Sequence, residues 1–336
     1  MKRSVKVKLP INLNNSDRCY FKNTCYELAP LKVYELSNVV ITSIGTCLIN
    51  NSIVKESIHG YRDKITIYTL LSKLNILNHK TIFPDDSDYY LMIHSPVFSY
   101  YHWLTESIPR LLMVKPQIEE LTLLLPVSLK NIDYVKESLA PFSFKDIFYI
   151  PENANIKVRH LVLPQIKPYH TSYYPETVEE IRHIYTDYSN KSLNTKVKYS
   201  DILFLYDETK NKPNINNIGM LKSIMDRFKI RFINPSDCSL FSLVQLVQKA
   251  ELIISVTCNI MACISFMKKG TSVLELIKPQ SCEIDKPDLR FINLASNLGL
   301  NYYYLFCKSQ GNKNEDYRII IDPLKLEKSI EQILSK

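Results

Sequence analysis

Residues 95–115, SPVFSYYHWLTESIPRLLMVK, combine an otherwise apolar segment with three side chains that can take part in acid–base chemistry. His102, Glu106 and Arg110 follow one another at intervals of four residues. A helix would therefore place them on one stripe, with leucine and isoleucine side chains on the opposite side. A carboxylate four residues from an imidazole can share a proton with it and raise its basicity. The segment thus carries what a general base requires.

The same spacing also fits a helix whose polar face makes ordinary salt bridges, with Trp103 as a packing residue. Pro109 adds a constraint, because a proline inside a helix removes a hydrogen bond and presses on the carbonyl four residues earlier, here that of Thr105. The sequence predicts a kink or a break at this point. The position of Arg110 relative to Glu106 depends on which of the two occurs.

A second candidate site is the segment ISVTCNIMACISF, residues 254–266, which predicts a strand, a tight turn and a helix. The first turn of such a helix offers N–H groups and the positive end of the helix dipole, a natural phosphate site. Thr257 or Asn259 could cap it. Glu275 ends the buried strand TSVLEL, where a carboxylate can bind a ligand such as a ribose diol. The segment 254–266 could instead be a purely structural turn, and Glu275 could instead cap a helix or form a local ion pair.

The motifs that would hold a metal or a cofactor are weak or missing. Asp86 and Asp88 form a D-x-D, a pattern that can bind a divalent cation, but here it precedes a strand in a proline-containing loop and favours a turn. The eight cysteines include no C-x-x-C and no zinc-type spacing, which favours reduced thiols. The sequence also has no P-loop, no G-x-G-x-x-G and no serine elbow.

The order of the predicted elements indicates two domains. Strands and helices alternate along the chain in two series, separated by the polar segment 189–201, which we interpret as a linker. We predict an α/β fold in which two parallel-sheet domains, residues 1–190 and 198–336, face a cleft. The N-terminal portion is predicted to be irregular and β-rich, with strand-like pieces at residues 38–50 and 64–71.

Composition restricts the partners. With 46% hydrophobic and 23% charged residues the chain is globular, and its net charge of +8 fits either a solvated basic surface or attraction to an anionic partner such as a nucleotide diphosphate or a membrane surface. The sequence has no basic stripe interleaved with aromatic residues, so nucleic-acid binding is not predicted. The N-terminal sequence MKRSVKVKLP has no apolar core of a signal peptide, and the longest apolar run, residues 252–267, is too short to span a bilayer. We expect a cytoplasmic protein, in peripheral contact with the inner face of the membrane at most.

Two segments together resemble glycosyltransferase family 61, also known as the DUF563 proteins. YYHWLTESIPRL, residues 100–111, is similar to the N-terminal signature of that family, an aromatic-His-Trp-Leu segment that ends in Pro-Arg-Leu. Residues 239–276 follow the rhythm of its C-terminal block without gaps, ending in a strand with Val-x-Glu. The resemblance implies a GT-B-like fold of two Rossmann-like domains, an inverting mechanism, and sugar transfer from a nucleotide-sugar donor without a metal or other cofactor.

The resemblance also implies roles for the candidate residues. The N-terminal domain would bind a glycan or lipid-linked glycan acceptor, and the C-terminal domain would bind the nucleotide sugar. His102 would be the base, Glu106 would assist it, and Arg110 would hold an anionic group or orient Glu106. The donor-side set comprises Thr257, Cys258 and Asn259 around the diphosphate and Glu275 on the ribose. The reaction would belong to the synthesis of bacterial capsule, O-antigen or another surface polysaccharide.

The C-terminal block departs from the family at polar positions. An arginine, an acidic-Gln pair, a His-Gly pair and an asparagine of the family correspond here to Asp207, Ser242, Leu243, Thr257, Cys258 and Cys263. A changed donor would explain these replacements. So would lost catalysis, which would make the protein an inactive carbohydrate-binding or scaffolding relative. Titration with nucleotide sugars separates the two hypotheses, because an active transferase must bind at least one donor saturably.

Overall fold

The structure is a computed structural model that describes residues 2–22, 24–58, 61–167, 169, 171–192, 201–206, 215–278, 288–310 and 318–335. Most of the predicted linker, together with Asp207 and Cys282, lies outside these residues. The seven cysteines among the described residues are free thiols, three of them buried.

The chain divides into two compact units. The first contains the first two residues and Ala29–Ser172, and the second contains Arg3–Leu28 and Tyr173–Lys336. The division falls at residue 172, ahead of the predicted linker at 189–201, and the second unit includes a stretch from the N-terminus. The acceptor and donor roles of the domains remain predictions.

The two strands closest to the N-terminus belong to the second unit. β1 (Arg3–Lys6) and β2 (Cys25–Leu28) pair in antiparallel orientation. A 3-10 helix, Asn15–Phe21, lies between them, and the side chain of Asn14 caps it by accepting a hydrogen bond from the N–H of Asp17. The prediction of an irregular, β-containing N-terminal portion agrees with these elements.

The first unit is a mixed sheet with helices. Its strands are β3 (Val33–Ile41), β4 (Cys47–Ile49), β5 (Ser52–Ile53), β6 (Lys80–Ile82), β7 (Tyr89–Met92), β8 (Thr122–Pro126), β9 (Asp146–Ile150) and β10 (Ala154–Pro164). Their order is β5-β4-β3-β10-β7-β8-β9, with β6 also paired to β10. Strands β6 to β10 pair in parallel, whereas β3, β4 and β5 are antiparallel to their neighbours. Ile41, Leu124 and Leu161 belong to the buried core.

The helices of the first unit are short, apart from the first. They are α1 (Tyr61–Asn78), α2 (Tyr100–His102), α3 (Ile108–Leu112) and α4 (Asp133–Leu139), with a π-helix at Trp103–Ser107 and 3-10 helices at Lys55–Ser57, Lys115–Glu120 and Val127–Leu129. The prediction of a strand at residues 64–71 is wrong, because these residues lie inside α1. Their β-branched residues favour a strand by propensity, but propensity gives way to tertiary context.

The second unit is built on a fully parallel five-stranded sheet. Its elements are α5 (Pro175–Ser192), β11 (Ile202–Leu205), a 3-10 helix at Ile218–Leu221, α6 (Lys222–Arg227), β12 (Arg231–Ile233), a 3-10 helix at Pro235–Asp237, α7 (Leu240–Lys249), β13 (Leu252–Val256), a 3-10 helix at Asn259–Phe266, β14 (Ser272–Ile277), α8 (Arg290–Leu298), β15 (Asn301–Phe306), β16 (Lys308–Gln310), β17 (Arg318–Ile320) and α9 (Pro323–Leu334). β16 and β17 form an antiparallel pair.

The order of the parallel strands is β12-β11-β13-β14-β15. Strands β13 and β14, in the interior of this sheet, are buried along their whole length, and Glu275 is their one charged residue. Apolar runs of this kind are typical of strands covered on both faces. The predicted α/β fold is confirmed, with a fully parallel sheet in the second unit and a mixed sheet in the first, and the GT-B-like arrangement of two Rossmann-like domains remains a prediction.

Candidate functional site

The segment that carries His102 stays helical through Pro109. Ser99 caps α2 by accepting a hydrogen bond from the N–H of His102, and the helix then widens into the π-helix Trp103–Ser107 before α3 continues. Pro109 has no N–H to offer the carbonyl of Thr105, so the register of hydrogen bonds must change near it. The π-turn makes this change, since the N–H of Ile108 reaches back to the carbonyl of Trp103.

His102 and Glu106 form the pair that their spacing predicts. Nδ1 of His102 lies 2.8 Å from Oε2 of Glu106, and the two side chains are 18% and 4% exposed. A buried carboxylate on Nδ1 selects the tautomer with its hydrogen there and makes Nε2 the basic nitrogen. The pair can therefore present an oriented imidazole that solvent or a ligand reaches in part.

Arg110 is buried and is directed toward the backbone of the sheet. Its Nε donates to the carbonyl of Pro164 at 2.6 Å, and its Nη1 donates to the carbonyls of Ile93 and His94. Burial lowers the pKa of Arg110 to about 9, although the negative charge of Glu106 raises it. The guanidinium therefore stays positive at neutral pH. These contacts tie the end of β10 to the residues after β7. They favour a positioning role for Arg110, and its predicted contact with an anionic group remains a prediction.

Trp103, the single tryptophan of the chain, packs inside the first unit. Its Nε1 donates to Oγ of Ser138 at 2.7 Å, and that hydroxyl donates in turn to the carbonyl of Val135 at 2.8 Å. Phe98 meets the indole edge-on at 6.0 Å between ring centroids. The packing interpretation of Trp103 is therefore correct, and this side chain holds the helix of His102 against α4.

His94 is a buried titratable residue that the sequence did not single out. Its Nδ1 lies 3.0 Å from the carbonyl of Leu124. Burial, reinforced by the charge of Arg110, lowers the pKa of His94 to about 3, so the ring is neutral at pH 7. Gly45, with φ of 82°, lies so close that a Cβ there would come within 3.1 Å of the ring. The sequence could have indicated this burial, since His94 closes the apolar run of residues 89–93.

In the second unit, the predicted phosphate segment is a strand, a turn and a 3-10 helix. Cys258 is the N-cap of the helix Asn259–Phe266, in extended conformation, and its side chain makes no capping hydrogen bond. The prediction that Thr257 or Asn259 caps the helix is therefore wrong. The side chain of Thr257 is directed instead to the neighbouring strand β14.

Thr257 and Glu275 are brought together. Oγ1 of Thr257 donates to Oε1 of Glu275 at 2.7 Å, and the hydroxyl of Tyr302 donates to Oε2 at 2.6 Å. The carboxyl group is buried, which raises the pKa of Glu275 to about 7 although both hydroxyls lower it. Each oxygen already accepts one hydrogen bond within the protein and the side chain is only 2% exposed, so a ribose would reach it only after neighbouring residues move.

The strand order places the turn after β13 at a topological switch point. β11 lies between β12, which follows it in the chain, and β13, so the connection from β11 to β12 and the connection from β13 to β14 run in opposite directions along the sheet. Open parallel sheets bind ligands at this point, outside the carboxyl ends of the strands. Thr257, Cys258 and Asn259 directly follow β13 there. Asp207 follows β11 but lies outside the described residues.

The second unit also contains a cavity of about 790 Å³ that could hold a ligand. It lies between the end of β15 at Phe306 and the first turn of α9, and Asn216 and Lys308 contribute to its wall. None of the predicted donor-side residues lines it. His102 lies in the first unit and the donor-side residues in the second.

The D-x-D segment is a turn, as predicted. Asp85 accepts hydrogen bonds from the N–H and the hydroxyl of Ser87, and Asp88 forms an ion pair with Lys145. Among the described residues, no group of three or more His, Cys, Asp or Glu side chains could hold a metal ion.

The comparisons with known proteins agree with the resemblance seen in the sequence. The family model described as Glycosyltransferase 61 matches residues 100–274, which is just over half of the 336 residues. The match contains the candidate residues of both units except Glu275, which directly follows it. A search of curated proteins finds none that matches. In the described part of the chain, no helix is both long enough and apolar enough to cross a bilayer.

Proposed function

Because the chain belongs to the glycosyltransferase 61 family and is a glycosyltransferase, we propose that it moves a sugar by an inverting, metal-independent reaction in the synthesis of a bacterial surface polysaccharide. The family supplies the reaction class, transfer from a nucleotide-sugar donor to a glycan acceptor. The observation that carries the proposal is the His102–Glu106 pair at 2.8 Å, with a partly exposed imidazole on a buried carboxylate.

His102 acts as the general base. Its Nε2 accepts the proton of an acceptor hydroxyl while the oxygen attacks the anomeric carbon of the donor. The bond from that carbon to the diphosphate oxygen breaks, and its electron pair leaves with the nucleoside diphosphate. Glu106 holds the imidazole in the required tautomer and stabilises the imidazolium that forms. A single displacement of this kind inverts the anomeric centre.

On the donor side, the backbone N–H groups of Cys258 and Asn259 bind the diphosphate, whereas the N–H of Thr257 already donates to the carbonyl of Leu276 at 3.1 Å. Their position at the switch point supports this assignment, and so does the positive end of the adjoining helix. Fixed donors of this type stabilise a departing diphosphate without a metal. In this proposal Glu275 acts mainly through Thr257, from whose hydroxyl it accepts a hydrogen bond, and it contacts the ribose directly only if neighbouring residues move to expose it.

Two measurements on the full chain test the proposal. Calorimetric titration with a panel of nucleotide sugars should show saturable binding of at least one donor, and that donor should support transfer to a glycan acceptor from a bacterial surface polysaccharide. His102→Ala should abolish most turnover and leave donor affinity unchanged. Full turnover in a folded His102→Ala variant would contradict the assigned base, and saturable binding without turnover in the wild type would favour the inactive relative.

A further inference from the structure

Helix α1 is attached to the first unit by polar side chains. Oγ of Ser72 lies 2.7 Å from Oγ1 of Thr46, and Nδ2 of Asn75 donates to Oγ of Ser43 at 2.7 Å. Ser72 is fully buried and Asn75 is 8% exposed. A surface helix ordinarily turns its apolar side chains toward the core, so this arrangement is the reverse of the usual one.

The opposite face of α1 is aliphatic and lies open. Its residues recur at intervals of three and four and are exposed by 44–81% of their surface: Ile67, Leu70, Leu71, Leu74 and Leu77. Neighbouring positions at this spacing form one continuous stripe along a helix. Scattered exposed apolar residues are normal, but a contiguous patch marks an interaction surface.

Charge indicates what this stripe contacts. The residues between Asp63 and Asp85 include three lysines and no Asp or Glu. Lys73 is exposed, three residues after Leu70 and four before Leu77, which places it at the edge of the stripe. A lysine stem can lie along apolar surface while its ammonium group reaches anionic head groups. An aliphatic face with a lysine at its edge suits a helix that lies in the plane of an anionic membrane surface.

We propose that α1 docks the protein on an anionic lipid surface, with the aliphatic stripe inserted at the boundary between head groups and acyl chains. A second copy of the chain fits less well, because a two-fold contact between α1 helices would bring like charges together along the stripe. The net charge of +8 favours the lipid surface in the same way. Docking of α1 on a lipid surface does not depend on the proposed sugar transfer, since it is a binding event alone.

The test is cosedimentation of the full-length protein with vesicles, compared between phosphatidylcholine alone and an equimolar mixture with phosphatidylglycerol. The wild type should partition into the anionic vesicles more strongly by about tenfold or more, and added salt should weaken this binding. The double variant Leu70→Asp with Leu77→Asp should lose about tenfold or more. Lys73→Gln should lose about fivefold, the effect of one basic residue near the surface.

Leu324→Asp is the matched control, because Leu324 is 77% exposed on α9 of the second unit. It should bind vesicles as the wild type does. Thermal unfolding of all variants checks that they fold, and Lys73→Gln keeps the test decisive if the double variant does not. A wild type that ignores anionic vesicles, or a folded double variant that binds them undiminished, overturns the proposal. The proposal is also overturned if the wild type binds no vesicles but is a dimer in light scattering, and the double variant is a monomer.

Discussion

The chain contains two His–Glu pairs at a spacing of four residues, and their surroundings differ. In the first unit, His102 contacts Glu106, with side chains 18% and 4% exposed. In the second unit, Nε2 of His183 lies 3.0 Å from Glu179 on α5, with side chains 66% and 42% exposed. Helical spacing alone creates both contacts. Only the first is enclosed, and enclosure is what fixes an imidazole in one orientation.

The arginines beside the two pairs differ in the same sense. Arg182 binds Glu179 directly and also donates to the carbonyl of Met267 at 3.1 Å. Arg110 makes each of its hydrogen bonds in the described part of the chain to a backbone carbonyl. In the first of these regions His183 and Glu179 are solvated although the Arg182 side chain is only 13% exposed, and in the second the polar groups are buried and hold the backbone. A solvated pair contributes little to stability or function, and the following experiments test this contrast.

The largest expected difference lies in turnover. A positioned general base typically contributes about 10²- to 10⁴-fold in rate, so His102→Ala should lose activity in that range. His183→Ala removes the same side chain from the same spacing and should retain nearly full turnover. Steady-state rates with the active donor and acceptor give both numbers. Equal losses in the two variants would show that the enclosure of His102 has no catalytic meaning.

Stability should separate the two arginines next. Arg110→Met leaves the buried carbonyls of Ile93 and Pro164 without a donor, at a cost of about 1–3 kcal/mol for each lost hydrogen bond. We expect the free energy of unfolding to fall by about 3 kcal/mol or more. Arg182→Met should cost less, about 1–2 kcal/mol, because only the carbonyl of Met267 loses a donor and Glu179 remains solvated. Denaturant titration measures both, and a similar small loss in the two variants would contradict the positioning role of Arg110.

The pH dependence of stability should report on Glu275. Its pKa is raised from 4.5 to about 7 in the folded protein, mainly by burial. Between these values the folded state binds more protons than the unfolded state, so the stabilising contribution is complete below pH 4.5 and is lost as pH rises through 7. The size is about 3 kcal/mol at most. Glu275→Gln cannot ionise, so the fall in unfolding free energy between pH 4.5 and 8 should be smaller by this amount.

Whether a contact of the fold or the candidate site could be predicted from the sequence depends on how far apart the two residues are along the chain. The His102–Glu106 contact follows from helical spacing, and the apolar runs of β13 and β14 predict buried parallel strands. The partners of Arg110, by contrast, are backbone carbonyls at Ile93 and Pro164, far away in the chain, and no local pattern indicates them. The pairing of Thr257 with Glu275 depends in the same way on the register of two strands.

α1 is an element for which the local sequence pattern was misleading. Its β-branched residues predicted a strand, and even the helical stripe of aliphatic residues would have been assigned to a core. The polar contacts of Ser72 and Asn75 turn the polar face of the helix toward the first unit and leave the aliphatic face exposed. These contacts depend on the loop that carries Ser43 and Thr46, which hydrophobic periodicity does not describe.

The smallest expected effect concerns the carboxylate of the enclosed pair. Glu106→Gln keeps the shape of the side chain and an oxygen that can accept from Nδ1 of His102, but it removes the charge that stabilises an imidazolium. Turnover should fall by about tenfold, less than in His102→Ala, with donor affinity unchanged.

Glu179→Gln is the matched control and should leave the rate and its pH profile as in the wild type, since the Glu179–His183 pair is solvated. Pre-steady-state rates over a range of pH separate the proton transfer from product release. A Glu106→Gln variant that is as active as the wild type would make Glu106 a packing residue. One as inactive as His102→Ala would mean that the charge and the imidazole act as one unit, which would move the catalytic role from the histidine to the pair.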